Sequence, residues 1–125
     1  MIAWQDPPPY VQFMEEAREM GELSYAYGVC GALQVIEIDP ARAQRAAEAA
    51  GDDLARRAIA AGALTELMLA AQNDGSDQAK ADFRFMLAEP PANETEAQAI
   101  LRENAIEDFL VDRCSRALRL FREFE

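Results

Sequence analysis

Two cysteines, Cys30 and Cys114, are the residues of this sequence with the clearest potential for chemistry. A nucleophilic cysteine needs a neighbouring base, usually histidine, and the sequence contains no histidine and no Cys-x-x-Cys pair. Each cysteine falls on the apolar stripe of a long predicted helix. If those helices run antiparallel, the sulfurs can meet in a disulfide; otherwise the two residues are inert buried thiols. Both alternatives stay open at this point, and a reactive thiol is disfavoured.

The missing histidine also excludes several catalytic and metal sites. Ser-His-Asp hydrolysis, two-histidine zinc sites and the Glu-x-x-His sites of di-iron bundles cannot form within this chain. Four carboxylates recur at spacings of four, which would suit Ca²⁺ or Mg²⁺: Glu103, Glu107, Asp108 and Asp112. Arginines are interleaved with them, so a solvated helix face of ion pairs explains the pattern more simply. We therefore predict no enzyme activity, no cofactor and no metal.

The charge of the chain limits the classes of partner that are expected. The formal net charge is −11 and there is a single lysine, Lys80. Proteins that bind phosphate backbones place many cations on them, so neither nucleic acid nor an anionic membrane surface is an expected partner. No phosphate-binding loop occurs in the sequence. It also lacks a run of about 18 apolar residues, which predicts that no segment spans a membrane.

The chain is organised around a predicted long helix, residues 9–36. One face carries apolar residues at helical spacing: Phe13, Met20, Leu23, Tyr27 and Cys30. A second face carries residues with little or no side chain: Ala17, Gly21, Ser24, Gly28 and Gly31. Small residues let a second backbone come close, so we expect helices on both faces. Gly21, Gly28 and Gly31 are the predicted packing or interface positions.

Four further helices are predicted. Asp39 caps a helix at 40–50, which Gly51 ends. Helices follow at 54–72 and 77–87, separated by a turn at 73–76, and the last runs from about 94 to the C-terminus after an Asn93–Glu96 capping box. The stripe of this helix is Ile106, Leu110, Cys114, Ala117, Phe121 and Phe124. The predicted fold is all-α: an extended lead-in at 1–8, then a single helical domain at 9–125, an irregular five-helix bundle with long first and last helices.

The N-terminal fifth of the chain resembles a family of small uncharacterised exported helical proteins of alphaproteobacteria. Three segments carry the resemblance: Pro9-Tyr10, then Met20-Gly21-Glu22-Leu23-Ser24-Tyr25, then Val29-Cys30-Gly31. The family has Leu-Gly where this chain has Met20-Gly21, and His where it has Ser24. The family's Trp-Arg segment is not found here. The resemblance implies an exported, all-helical protein and favours a disulfide between the cysteines; it implies no activity.

Two functions from different classes follow. The first is a non-catalytic, exported protein that acts through contacts with an unknown protein partner or with itself, using apolar residues such as Phe121 and Phe124 or the glycine row. The alternative is a binding protein for a small apolar ligand, with Tyr25 and Tyr27 lining a pocket between helices. A periplasmic location is expected, with a cytoplasmic one as the alternative. Met1 is either native or replaces a removed signal peptide.

Overall fold

The computed structural model of the protein describes residues 9–63 and 65–124, and every regular element in these ranges is a helix. The all-α prediction is therefore confirmed, but the predicted count of five helices is wrong. There are four: α1 (Pro9–Ala32), α2 (Pro40–Ala60), α3 (Thr65–Met86) and α4 (Glu96–Arg122). The extended lead-in predicted for residues 1–8 lies outside the described residues.

The count is wrong because two glycines sit inside helices instead of ending them. α2 continues through Gly51, and α3 continues through Gly75, where a turn was predicted. The chain reverses instead at Gly62, whose φ is +80°. There the amide of Gly62 donates to the carbonyl of Ile59 and the amide of Ala63 to that of Ala58, which is the Schellman pattern of a helix C-terminus.

Continuous buried stripes explain why the helices cross these glycines. In α2 the stripe is Ala46, Ala50, Leu54 and Ala58; in α3 it is Met68, Ala71, Gly75, Ala79 and Phe83. A glycine inside a helix costs about 1 kcal/mol relative to alanine. Burying an uninterrupted stripe offsets that cost. As a result the four helices have similar lengths, from 21 to 27 residues, and the last and the first are the two longest.

The N-cap of α2 is the residue predicted from the sequence, whereas the N-cap of α4 is a different residue from the one predicted. The Asp39 side chain accepts a hydrogen bond from the Ala41 amide, as predicted for the start of α2. The capping box predicted at Asn93 and Glu96 is wrong. Thr95 is the N-cap of α4, and Gln98 completes the box two residues further along. α1 ends at Ala32, whereas the sequence predicted an end near residue 36. Just beyond the observed end, Gln34 adopts a left-handed φ of 60°.

The helices alternate in direction along the chain. α2 runs antiparallel to α1, since Ile38 meets Gly31 at one end of the pair and Arg57 bonds Glu16 at the other. α4 also runs antiparallel to α1, since Cys30 is joined to Cys114 while Met20 and Phe124 border one cavity further along. α3 runs parallel to α1, since Gly75 lies against Arg18 and, further along both helices, Phe83 packs on Tyr25. α1 contacts all three of the other helices.

The parallel helices α1 and α3 touch backbone to backbone. A Cβ added to Gly21 would overlap the carbonyl oxygen of Gln72 and lie 2.8 Å from its carbonyl carbon, and a Cβ on Gly75 would meet Arg18 in the same way. Each glycine thus admits the backbone of the other helix. In a regular up-and-down bundle, helices one and three lie across the core from each other. Here their contact makes the bundle irregular, and α1 becomes its centre.

Candidate functional site

The cysteine alternatives are resolved in favour of the disulfide. Cys30 and Cys114 are bonded, with their Cα atoms 5.9 Å apart, and both residues are buried. Beside the disulfide, the rings of Tyr27 and Phe121 stack with centroids 5.1 Å apart. Phe121 is completely buried and is among the largest such side chains, so it belongs to helix packing and is not available as an exposed contact. Phe124 is half-buried against the core.

The glycine row of α1 has two different environments. Gly21 lies in the tight crossing with α3, whereas a Cβ on Gly28 would meet nothing within 4 Å. Gly31 is in between, since its Cβ would lie 3.1 Å from the Ile38 side chain. The helix facing Gly28 and Gly31 is α2, which offers mainly alanines there. Small residues on both sides leave an open groove.

This groove between α1 and α2 has a volume of about 450 Å³. Its lining is mostly apolar and small: Ser24, Tyr27, Gly28, Gly31, Ala32, Ile38, Pro40, Ala43, Gln44 and Ala47. A second cavity, of about 260 Å³, shares Ser24 and Ala47 with it and leads toward α3. The two cavities follow the inner face of α2, which stands off from the close α1–α3 pair. We call the larger one the α1–α2 groove.

The two tyrosines predicted to line a pocket separate. Tyr27 borders the α1–α2 groove. Tyr25 packs edge-on against Phe83 of α3, with ring centroids 5.7 Å apart, and the ammonium of Lys80 lies 5.9 Å from the centre of its ring. These contacts place Tyr25 on the α3 side of α1. Of the two tyrosines, Tyr27 therefore lines the groove and Tyr25 does not.

The first half of α4 extends beyond the helices that it packs on. Cys114 meets Cys30 just before α1 ends, and Phe109 meets Phe83 just before α3 ends, with ring centroids 5.0 Å apart. Because α4 runs antiparallel to both helices, its residues before about 106 lie past their ends. We call residues 96–106 the projecting segment. None of the residues 96–113 is buried, and the first buried side chain of α4 is Cys114.

Large apolar side chains are exposed on this part of α4. Leu101 is 70%, Val111 57% and Ile100 53% exposed. Ile100 and Val111 are about three turns apart, so they share one side of the helix, and Leu101 lies on the adjacent side. We call these three residues the outer face of α4. Phe85, near the end of α3, is also largely exposed.

Three acidic side chains lie on or beside the outer face. Glu103 and Glu107 follow Ile100 by three and seven residues, and Asp108 follows Leu101 by seven, so each lies beside an exposed apolar side chain. All three carboxylates are exposed, and no described residue forms an ion pair with them. The one cation of residues 96–112 is Arg102, whose guanidinium bonds Glu94 at 2.9 Å. This part of the surface is thus apolar with uncompensated negative charge.

Among the described residues, no side-chain group suits a metal ion, and the pKa of Asp53 is shifted by its neighbours. Within 9–63 and 65–124, no group of three or more acidic, cysteine or histidine side chains could hold a metal ion. Asp53 has a lowered pKa because Arg56 and Arg57 donate hydrogen bonds to its carboxylate. Both arginines are exposed, so this is a surface ion-pair cluster.

Sequence analysis missed the outer face of α4. Its residues were available as a signal, because Ile100, Leu101 and Val111 all fall off the stripe of Ile106, Leu110, Cys114 and Phe121. A second set of apolar residues on an amphipathic helix indicates either a second buried face or an exposed one. Deciding between the two requires knowing where α1 and α3 end.

The chain matches no protein-family model, no curated protein and no solved structure. The resemblance of its N-terminal fifth to exported alphaproteobacterial proteins therefore stays a prediction. Among the helices of the described part of the chain, none is long and apolar enough to cross a membrane.

Proposed function

We propose that this protein is non-catalytic and acts by binding another protein through the outer face of α4. The observation that carries the proposal is the exposure of Leu101, Ile100 and Val111 on a helix that continues past its supporting neighbours. Exposed groups of large apolar residues mark interaction sites when they cluster. Leucine and isoleucine side chains each contribute about 1.5–3 kcal/mol when they are fully buried, so covering this face would favour a complex.

The local structure supports a preformed binding helix. A helical segment with few tertiary contacts is marginal in water, yet the projecting segment is stabilised at its start. Thr95 and Gln98 satisfy each other's backbone amides in the capping box. The Arg102–Glu94 pair joins the segment to the preceding connection, and the Glu94 side chain is only 10% exposed. A partner would therefore meet an ordered helix and would not have to order it.

We further propose a periplasmic location. The Cys30–Cys114 disulfide supports an oxidising compartment, because such bonds persist there and are rare in the cytosol. The resemblance to exported proteins points in the same direction. Intact-mass measurement of the native protein with and without thiol alkylation, combined with cell fractionation, tests this proposal. A bonded pair in the periplasmic fraction is expected, and two free thiols in the cytosolic fraction would contradict it.

Site-specific photo-crosslinking tests the proposed function. A benzoylphenylalanine placed at Leu101, in the organism that carries the gene, is expected to form a protein adduct. Ile59 is the matched control, because it is 62% exposed and lies at the opposite end of the molecule, near the α2–α3 connection. Adducts from Leu101 and not from Ile59 support the proposal. Equal labelling at both positions, or none from Leu101, would refute it.

The α1–α2 groove favours a second candidate function, the binding of a small apolar ligand. Its volume of about 450 Å³ is in the range of small-molecule sites, and its lining is largely apolar, as in such sites. Gly28→Leu would place an apolar side chain at the groove, and its Cβ would meet nothing within 4 Å. Binding of a solvent-sensitive apolar dye should weaken in this variant. Unchanged dye binding would count against the groove as the site.

A further inference from the structure

We propose that the partner of α4 presents a basic amphipathic helix, with apolar side chains along one side and lysine or arginine residues beside them. This inference rests on the proposed function and adds the chemistry of the partner. Its basis is the combination of three exposed apolar side chains with three unpaired carboxylates on the same stretch of α4.

The charge pattern argues for a cationic partner. Glu103, Glu107 and Asp108 lie on or beside the outer face, and no described cation pairs with them. Covering Ile100 and Leu101 with a neutral surface would partly desolvate these carboxylates, which is costly when a charge gains no partner. Lysine or arginine residues of the partner would compensate them and would also steer the encounter.

The same pattern disfavours two other occupants. A second copy of this chain would bring the same acidic side chains to the contact, and like charges placed opposite each other are costly. The chain as a whole carries a formal charge of −11, which adds a long-range repulsion between copies. An anionic membrane surface would be repelled in the same way, since membrane-binding helices carry lysine and arginine on their polar face.

The shape of the outer face argues for a helix. It is the side of one convex helix, and its polar and apolar residues recur at steps of three, four and seven: Ala97, Ile100, Leu101, Asn104 and Val111. A second helix lying alongside would match this spacing, with its own apolar residues packing between those of α4. Glu107 and Asp108 continue these steps between Asn104 and Val111, so a helix lying alongside would bring its basic residues against them at that level of the contact.

The direct test uses the full-length protein and three synthetic peptides. The first peptide is an amphipathic helix with leucines at spacings of three and four and lysines beside them. The second has glutamate in place of every lysine, and the third has the composition of the first in scrambled order. Fluorescence anisotropy should show binding of the first peptide only. Raising the salt from about 50 mM to about 500 mM should weaken this binding at least about tenfold.

Variants separate recognition by α4 from general attraction to an acidic protein. Leu101→Ser, and separately Glu103→Gln combined with Glu107→Gln, should each weaken peptide binding by about tenfold or more. The matched control is Asp74→Asn with Asp77→Asn, which removes the same charge from exposed positions on α3. Equal loss in the control, or equal binding of the scrambled peptide, would overturn the proposal.

Crosslinking from Leu101 distinguishes failure of this inference from failure of the proposed function. If Leu101 captures a partner in cells and the yield is unchanged by the Glu103→Gln and Glu107→Gln pair, the contact exists but the partner is not basic. An adduct between two copies of the chain, or binding to anionic vesicles, would likewise overturn the basic-helix proposal. Absence of any adduct from Leu101 would overturn the proposed function itself.

Discussion

The two ends of α4 are built differently although they belong to one continuous helix. Residues 114–122, which we call the anchored segment, bury Cys114, Ala117 and Phe121 against the bundle. The projecting segment buries none of its side chains and exposes Ile100 and Leu101. The anchored segment contributes stability through burial and a covalent bond, whereas the projecting segment leaves apolar side chains exposed. The comparison shows how one helix can combine a core element with an exposed apolar surface.

The ion pairing of charged side chains also differs between the two ends of α4. Arg113 and Arg116 approach Glu22 of α1 at 3.3 and 3.9 Å, so the arginines next to the anchored segment and within it meet carboxylates of the neighbouring helix. Arg113 also lies over the ring of Phe109, 5.0 Å from its centre. The carboxylates around the outer face have no such described partners. The arginines at one end of α4 are thus paired with carboxylates of the same protein, and the carboxylates toward the other end are left exposed.

Removing the disulfide should have the largest effect on this contrast. The bond joins residues 84 positions apart, and in the chain-entropy treatment a loop of this size stabilises the fold by about 4–5 kcal/mol. The Cys30→Ser, Cys114→Ser double variant should lose a large part of this in urea unfolding. Substituting both residues avoids leaving a lone thiol. A loss below about 1 kcal/mol would show that the anchored segment does not depend on the bond.

Truncating a large side chain at each end should separate the two segments directly. Phe121→Ala is expected to lower the free energy of unfolding by about 3–5 kcal/mol, because it opens a cavity beside Tyr27. Leu101→Ala is expected to change it by less than about 0.5 kcal/mol, because that side chain is exposed. Chemical denaturation of both variants measures the difference. Similar losses would mean that Leu101 is packed in solution and that the outer face is covered.

Loss of the N-cap should produce the smallest and most local effect. Thr95→Ala is expected to lower the stability of the first turns of α4 by about 1 kcal/mol, seen as faster amide hydrogen exchange there. Global unfolding should change less, because the projecting segment contributes little burial.

The matched control for this prediction is Asp39→Ala, which removes the N-cap of α2. α2 carries buried residues along most of its length, so its cap should contribute to global stability. Hydrogen exchange resolved by residue, together with urea unfolding, measures both variants. An equal change in global stability for Thr95→Ala and Asp39→Ala would remove the distinction between the projecting segment and a packed helix.

Three glycines have roles in the structure that their local sequence did not indicate. Gly51 and Gly75 were predicted to end or interrupt helices, while Gly62 was placed inside one; the structure has the reverse at all three positions. The backbone of Arg18 explains Gly75, since any Cβ there would overlap it. That contact joins residues distant in the sequence, so no local pattern could indicate it. The predicted turn at residues 73–76 failed for the same reason.

The sequence by itself determined the helical class, the start of α2 at Asp39 and the stripe that carries Cys114 and Phe121, because periodicity and capping are local properties. It also limited Cys30 and Cys114 to a disulfide or inert thiols. Only the tertiary structure decided which glycines break helices, that the sulfurs meet, and that α4 extends past the ends of α1 and α3. These outcomes depend on how separate helices approach one another, and burial is known only once those neighbours are in place.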